Sequence, residues 1–304
     1  MGRITTRKKV VHITVPRADA EGAAVRRMDN LAVEEPLEIR VSGAPLTVTM
    51  RTPGHDVELA AGFLVSEGVI THHDQFASAI HCGGPGTGGA AAAPGAYALG
   101  ASAADGGNTY NVLDVTLAPG TPLPDPARAR HSYTTSACGV CGSASIEQVA
   151  TTSAFDVSGD ELEVDATTLA ALTDELRSRQ EAFEKTGGLH AAGLYDAATG
   201  ELLVVREDVG RHNAVDKVVG WAVLNGRLPL GGTVLQVSGR ASFELVQKAV
   251  MAGIPMLSAV SAPSSLAVEM AESTGLTLVG FVRGGSMNVY TRPERVRDGV
   301  LAPV

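Results

Sequence analysis

The chain has 304 residues, of which 44% are apolar, and a formal charge of −9. That length can bury one large core or two moderate ones, with two favoured, and the net acidic balance excludes a protein that binds nucleic acid through a general cationic surface. No window approaches a membrane-spanning apolar run and the start lacks a signal-peptide core, so a cytoplasmic protein is expected, without membrane insertion and with its three cysteines as free thiols.

The charge is unevenly spread. Residues 1–30 hold seven Lys/Arg against three Asp/Glu, which leaves −13 on the remainder. This stretch reads as a basic, disordered tail. From Leu31 the pattern turns to short alternating segments: "PLEIRV", a Ser42-Gly43 turn and "PLTVTM" predict a hairpin. In "HDVELAAGFLVSEG" the spacing predicts a helix with Asp56 as its N-cap, Leu59, Phe63 and Leu64 on one side and Gly68 beyond its end. Residues 82–107 contain nine Gly and nine Ala, too little apolar bulk to offset the entropy of ordering, and read as a mobile loop with Cys82 at its edge. "YNVLDVTL" resumes strand alternation. The prolines at 119, 122, 124 and 126 then suit a connector. These features divide the chain into a tail over 1–30, a smaller N-terminal α+β domain over 31–130 and an α/β domain over 131–304.

In the last part, "ATTLAALTDELRSRQEAFEKTGG" predicts one long helix with Leu169, Leu172, Leu176 and Phe183 on a face and Gly187 as its stop. "LHAAGLY" and "ELLVVRE" follow as strands around "DAATG", then a helix from about 210 to 224. "TVLQVS", "PMLSAV" and "LTLVGFV" are strands separated by helices. This alternation, with nearly continuous Val/Leu/Ile in the strands, predicts an α/β fold with a mostly parallel sheet covered on both faces. In such sheets ligands collect where strand ends meet helix N-termini.

The turns at those junctions are rich in functional groups. "REDVGRHNAVDK" supplies Asp208, Arg211 and His212 at one helix entrance. "VSGRASFE" offers Gly239 for close backbone approach, Arg240, and Ser242 as a cap. "SAPSS", which includes Ser261, brings hydroxyls without bulk, and "FVRGGS" sets Arg283 beside two bare glycines. Four such turns on one sheet edge predict a site for a polyanion such as a nucleotide. None is a Walker loop or a GxGxxG fingerprint, so NTPase and dehydrogenase chemistry fall away.

Cys138 and Cys141 stand three apart in "SACGVCGSAS". Redox exchange, metal binding and sulfur handling all use such a pair. A zinc site needs two further ligands, but no second CxxC and no HxxxH occurs; the zinc-deaminase pattern fails too, because alanine precedes Cys138 and no HxE tripeptide exists. A thioredoxin-like unit explains the pair but not the large ligand site.

Taken together, "SACGVCG", "TGGLHAAGLY", "EDVGRHNAVDKVVG", "SGRASFELVQKA" and "FVRGGSMNVYT" resemble the formate dehydrogenase accessory sulfurtransferases, the FdhD/NarQ family, over about residues 31–291. The resemblance implies a cytidine-deaminase-like α/β/α domain without the deaminase zinc, a homodimer, and sulfur relay. A cysteine desulfurase would hand sulfur to the carrier, which passes it to the molybdenum or tungsten bis(molybdopterin guanine dinucleotide) cofactor of formate dehydrogenase, with no metal ligated by the carrier. It also implies Cys138 as the persulfide carrier, Cys141 as its partner or alternative carrier, and Phe281, Val282, Arg283, Gly284, Gly285 and Ser286 as the cofactor loop. Arg211, Arg240 and Gly239 are candidate phosphate or guanine contacts alongside Ser261, and Asp208 and His212 either orient the site or meet a base edge. A cofactor-insertion chaperone without sulfur chemistry and a CxxC thiol oxidoreductase are the competing readings.

Overall fold

The computed structural model describes residues 3–15, 22–82, 110–124 and 153–297. The CxxC segment with Cys138 and Cys141 and nearly all of the Gly/Ala-rich loop lie outside the described residues. Two long strands open the chain, β1 (Thr5–Thr14) and β2 (Ala23–Ala32), paired antiparallel from Thr5 opposite Ala32 to Thr14 opposite Ala23. The expectation of a disordered tail is therefore corrected for these residues. Their β-branched runs, as in Val10-Val11-His12-Ile13-Thr14, suit extended backbone, and the basic side chains between them face solvent.

β3 (Glu35–Val41) and β4 (Ala44–Arg51) form the expected hairpin, with φ of 52° at Ser42 and 82° at Gly43, the pair of positive angles a two-residue turn needs to follow the strand twist. Helix α1 (Asp56–Ser66) follows. Asp56 is not its cap: His55 occupies that position, and the Asp56 carboxylate is held by Arg51 through contacts of 3.0 and 3.1 Å. β5 (Phe76–His81) and β6 (Val112–Leu117) complete a four-stranded sheet ordered β4-β3-β6-β5.

β7 (Val164–Asp165) leads into α2 (Ala166–Ser178) and α3 (Glu181–Thr186). The single long helix expected here is broken at Arg179-Gln180, because the Glu207 carboxylate accepts from the amides of Ala182 and Phe183 at 2.9 and 2.8 Å and starts a second helix. The chain continues through β8 (His190–Asp196), β9 (Leu202–Asp208), α4 (Arg211–Leu224), β10 (Thr233–Val237) and α5 (Phe243–Met251). It closes with β11 (Met256–Ala259), α6 (Ser265–Thr274), β12 (Thr277–Arg283), β13 (Ser286–Val289) and β14 (Val296–Arg297), the last pairing with β7. The main sheet runs β13-β12-β11-β10-β8-β9. The α/β class holds. The sheet is mixed, however: β9, β10, β11 and β12 share one direction, while β8 and β13 run against them, so adjacent pairing is parallel only at β10-β11 and β11-β12.

One face of this sheet meets α2 around Leu169, Leu172, Tyr195 and Met256. The other belongs to a larger core that runs without interruption from Leu37 and Ile39 through α1 and α4 to Leu235 and Leu257. The boundary expected near residue 130 thus marks no break in the apolar interior. Close helix approach makes this possible. A Cβ added at Gly62 would fall 1.8 Å from the Asp216 carbonyl oxygen, and one at Gly220 would fall 1.7 Å from that of Glu58, so only glycine lets α1 and α4 touch backbone to backbone.

Buried ion pairs lock this layer. Asp208 and Lys217 are 0% and 1% exposed and meet at 2.7 Å. The Asp208 carboxylate also accepts from the amides of Thr52 and Gly210 and from Asn213 Nδ2. Asp216 takes Lys248 Nζ at 2.8 Å on both oxygens and the Ser66 hydroxyl at 2.8 Å. At the edge, burial pushes the Glu58 carboxyl up, but hydrogen bonds from Arg206 and His55 outweigh it and bring it down to about 2.

Candidate functional site

Because β9, β10, β11 and β12 run the same way, their C-terminal ends share one edge of the sheet, where the start of antiparallel β8 joins them. The four turns singled out in the sequence therefore do converge. Backbone hydrogen bonds stitch them into one rim: Ser238 N to Ala191 O at 3.0 Å, Val260 N to Val237 O at 3.2 Å, Ser264 N to Ala241 O at 3.0 Å and Phe281 N to Ser261 O at 3.2 Å. Ser238 adds its hydroxyl, which accepts from Ala191 N at 2.9 Å.

Cations gather at the β8–β10 end of this rim. Burial pulls the Arg211 guanidinium down from its ordinary value, and the neighbouring Arg240 adds to that effect. His190, at the first position of β8, is also lowered: burial comes first, then Arg211, His212 and Arg240, with only Asp208 pulling the other way. Two guanidiniums beside His190 make this end of the rim cationic, with Glu244 partly offsetting the charge at Arg211, and a phosphate or pyrophosphate at the exposed Arg240 would add a further counter-charge. Gly239 leaves the room: a Cβ there would meet His190 Nδ1 at 3.4 Å and Arg211 Cδ at 3.9 Å.

The other expected residues divide by environment. His212 Nε2 lies 3.2 Å from the Ser242 hydroxyl and 3.0 Å from Glu244 Oε2, tying α4 to the start of α5. Ser242 is the N-cap residue of α5, as expected, but its hydroxyl makes no capping bond and is turned to His212 instead. Asp208 has both carboxylate oxygens occupied inside the protein, by Lys217, Asn213 and the amides of Thr52 and Gly210. Beside His212 a narrow cleft of about 60 Å³ runs between α1, α4, α5 and β4.

At the far end of the rim the segment Phe281–Ser286 forms the turn between β12 and β13. Gly284 and Gly285 have φ of 57° and 76°, and Arg283 to Ser286 are exposed. The Arg283 guanidinium lies 5.8 Å from the centre of the Phe281 ring. Phe281 itself adopts φ of 55°, a strained value for a bulky residue, where the β12-β13 register shifts. Val282 departs from expectation: its side chain is 0% exposed and belongs to the core against α2, so only its backbone can serve the loop. His190 is the rim residue that sequence reasoning missed. Its signal was faint, a histidine after paired glycines in "TGGLHAAG", and its neighbours Gly239, Arg211 and Arg240 come from distant parts of the chain.

A sequence profile of the FdhD/NarQ family matches residues 32–297. Sulfur carrier protein FdhD of Mycolicibacterium paratuberculosis is 55% identical over 97% of this chain and 99% of its own length. The protein of the same description from Streptomyces avermitilis is 54% identical over 97% of each chain. Among solved structures, a protein of Desulfotalea psychrophila, described provisionally as a formate dehydrogenase accessory protein, superposes with a TM-score of 0.69 over 97% of this chain and 100% of that one. At 23% identity that likeness is one of fold. No helix among the described residues is long and apolar enough to cross a membrane.

Proposed function

The chain belongs to the FdhD/NarQ family, and from that premise we propose that it is a sulfur carrier serving a formate dehydrogenase. The carrier thiolate is Cys138. It attacks the terminal sulfur of a persulfide on a cysteine desulfurase, forming Cys138–S–SH and releasing the desulfurase thiolate, the same displacement that governs thiol–disulfide exchange. No residue from 136 to 145 has a side chain larger than valine, a composition that suits a sulfur exchanged with a bulky donor. The acceptor is the molybdenum or tungsten bis(molybdopterin guanine dinucleotide), bound as cargo. Its guanine and pyrophosphate groups suit the rim of Arg211, Arg240, Gly239 and Ser261, with Arg283 and its glycines at the other end. Cys141 completes delivery by attacking the inner sulfur of the persulfide, which releases hydrosulfide toward the metal and leaves a Cys138–Cys141 disulfide for a cellular dithiol to reduce. The protein works as a homodimer.

The observation that carries this reading is the 55% identity, over 97% of the chain, to a protein described as a sulfur carrier. The test is mass spectrometry of the protein after incubation with a desulfurase and cysteine. A gain of about 32 Da, one sulfur atom, is expected on the wild type and not on Cys138→Ala. An unmodified wild type, or a Cys138→Ala variant that loads as well, overturns it, and the former result would leave a cofactor-insertion chaperone as the better account.

A further inference from the structure

The β1–β2 ribbon has no place in the sulfur chemistry, and its surface is unusual. Its strands are ten residues each, about 33 Å long at the ordinary rise. Among the described residues they form a sheet of their own, each with one edge that has no strand beside it. Nearly every side chain is exposed, including apolar ones: Val11 at 58%, Ile13 at 67% and Val25 at 57%, with Val15 at 73% just beyond β1. The pairing register puts Val11, Ile13 and Met28 on one face with Arg7, Lys9 and Arg26, and Val10, Val25 and Leu31 on the other with Lys8 and Arg27. Both faces are thus apolar and cationic at once. Among the described residues the ribbon is held through β2, which packs against α3, and at its root, where Ala32 Cβ lies 3.6 Å from the place a Cβ on Gly188 would take. Gly188 is two residues before His190, so the ribbon springs from the edge of the rim.

A two-stranded ribbon whose two faces are both largely exposed is marginal in water and needs a cover to persist. The cover must be acidic, because the ribbon strands carry Arg7, Lys8, Lys9, Arg26 and Arg27 against Asp29 alone. It must also be permanently available, because these edges and apolar faces left open would invite aggregation. We propose that the ribbon is a clasp that closes on the acidic body of a second copy of this chain. That body carries −13 once residues 1–30 are set aside, and it is present at the ribbon's own concentration. A two-fold arrangement then gives each ribbon the same surface to grip. This deepens the homodimer of the preceding section by naming the surface that makes it.

The test is sedimentation equilibrium of the full chain beside a variant with Lys8→Glu, Lys9→Glu, Arg26→Glu and Arg27→Glu. A wild-type dimer is expected, with dissociation strengthened by salt, and a dissociation constant at least about tenfold higher in the variant. Hydrogen exchange supplies a second readout, in which amides of residues 5–14 and 23–32 gain protection as protein concentration rises through the dimer range. A monomeric wild type, or a dimer equally tight in the variant, overturns the proposal; the former result would hand the ribbon to an unrelated acidic partner. Persulfide loading at Cys138 is expected to survive in the variant, so failure of the clasp and failure of the sulfur-carrier reading are separable.

Discussion

The interior between the two sheets and the rim at the sheet edge handle charge in opposite ways. Inside, each carboxylate has its cation: Asp208 with Lys217, Asp216 with Lys248, Asp56 with Arg51. Along the rim, Arg240 has no carboxylate partner among the described residues, while Arg211 and His190 are pulled down first by burial and then by cationic neighbours, with Glu244 opposing the shift at Arg211 and Asp208 that at His190. Matched charges hold the fold together and contribute nothing a ligand can use. The exposed Arg240 guanidinium stays open to an anion from outside, which is the physical difference between this end of the rim and the matched pairs inside.

The largest effect is expected inside. Asp208→Ala leaves the buried Lys217 ammonium with no counter-charge, only the carbonyls of Thr52 and Glu207, and urea denaturation should show a loss of about 3–5 kcal/mol; a loss below about 1 kcal/mol would mean the pair does not hold the interior together. The next test exchanges the roles. Replacing Arg211 and Arg240 together by alanine should weaken guanosine diphosphate by about 10- to 100-fold in calorimetry. Equal binding by wild type and double variant would remove the rim from the ligand site.

The smallest effect concerns His190. Its folded value lies below the ordinary 6.5, so the unfolded chain binds its proton first, and stability falls as pH drops through and below that value. A bound anion reverses the preference and favours the imidazolium. Ligand binding should therefore take up a proton, and affinity relative to a His190→Gln variant should rise a few-fold between about pH 7.5 and about pH 5.5. A ratio that stays flat across that range would place the anion away from His190.

Local chemistry made much of this legible. The "SG" hairpin turn, the strand–helix alternation and the four functional turns are written in adjacent residues, and the shared direction of β9 to β12 puts those turns on one edge. What required the structure is contact between distant residues. Asp208 reads as one more functional group at a helix entrance until Lys217 is seen to neutralise it in the interior. The break between α2 and α3 depends on Glu207, contributed by β9. The basic N-terminal segment reads as a solvated tail because its own residues bury nothing; only the strand pairing reveals it as a ribbon. The reversed directions of β8 and β13 likewise follow from pairing and not from composition.

The central claim is that sulfur held by the CxxC pair reaches a cargo seated on the cationic rim. Loading the carrier with ³⁵S from a desulfurase, then mixing it with formate dehydrogenase lacking the cofactor sulfur, tests that claim directly. Label should appear in the enzyme's cofactor with wild-type carrier and should stay on the carrier in the Arg211→Ala, Arg240→Ala variant, which still loads. Equal transfer by both carriers would contradict the account.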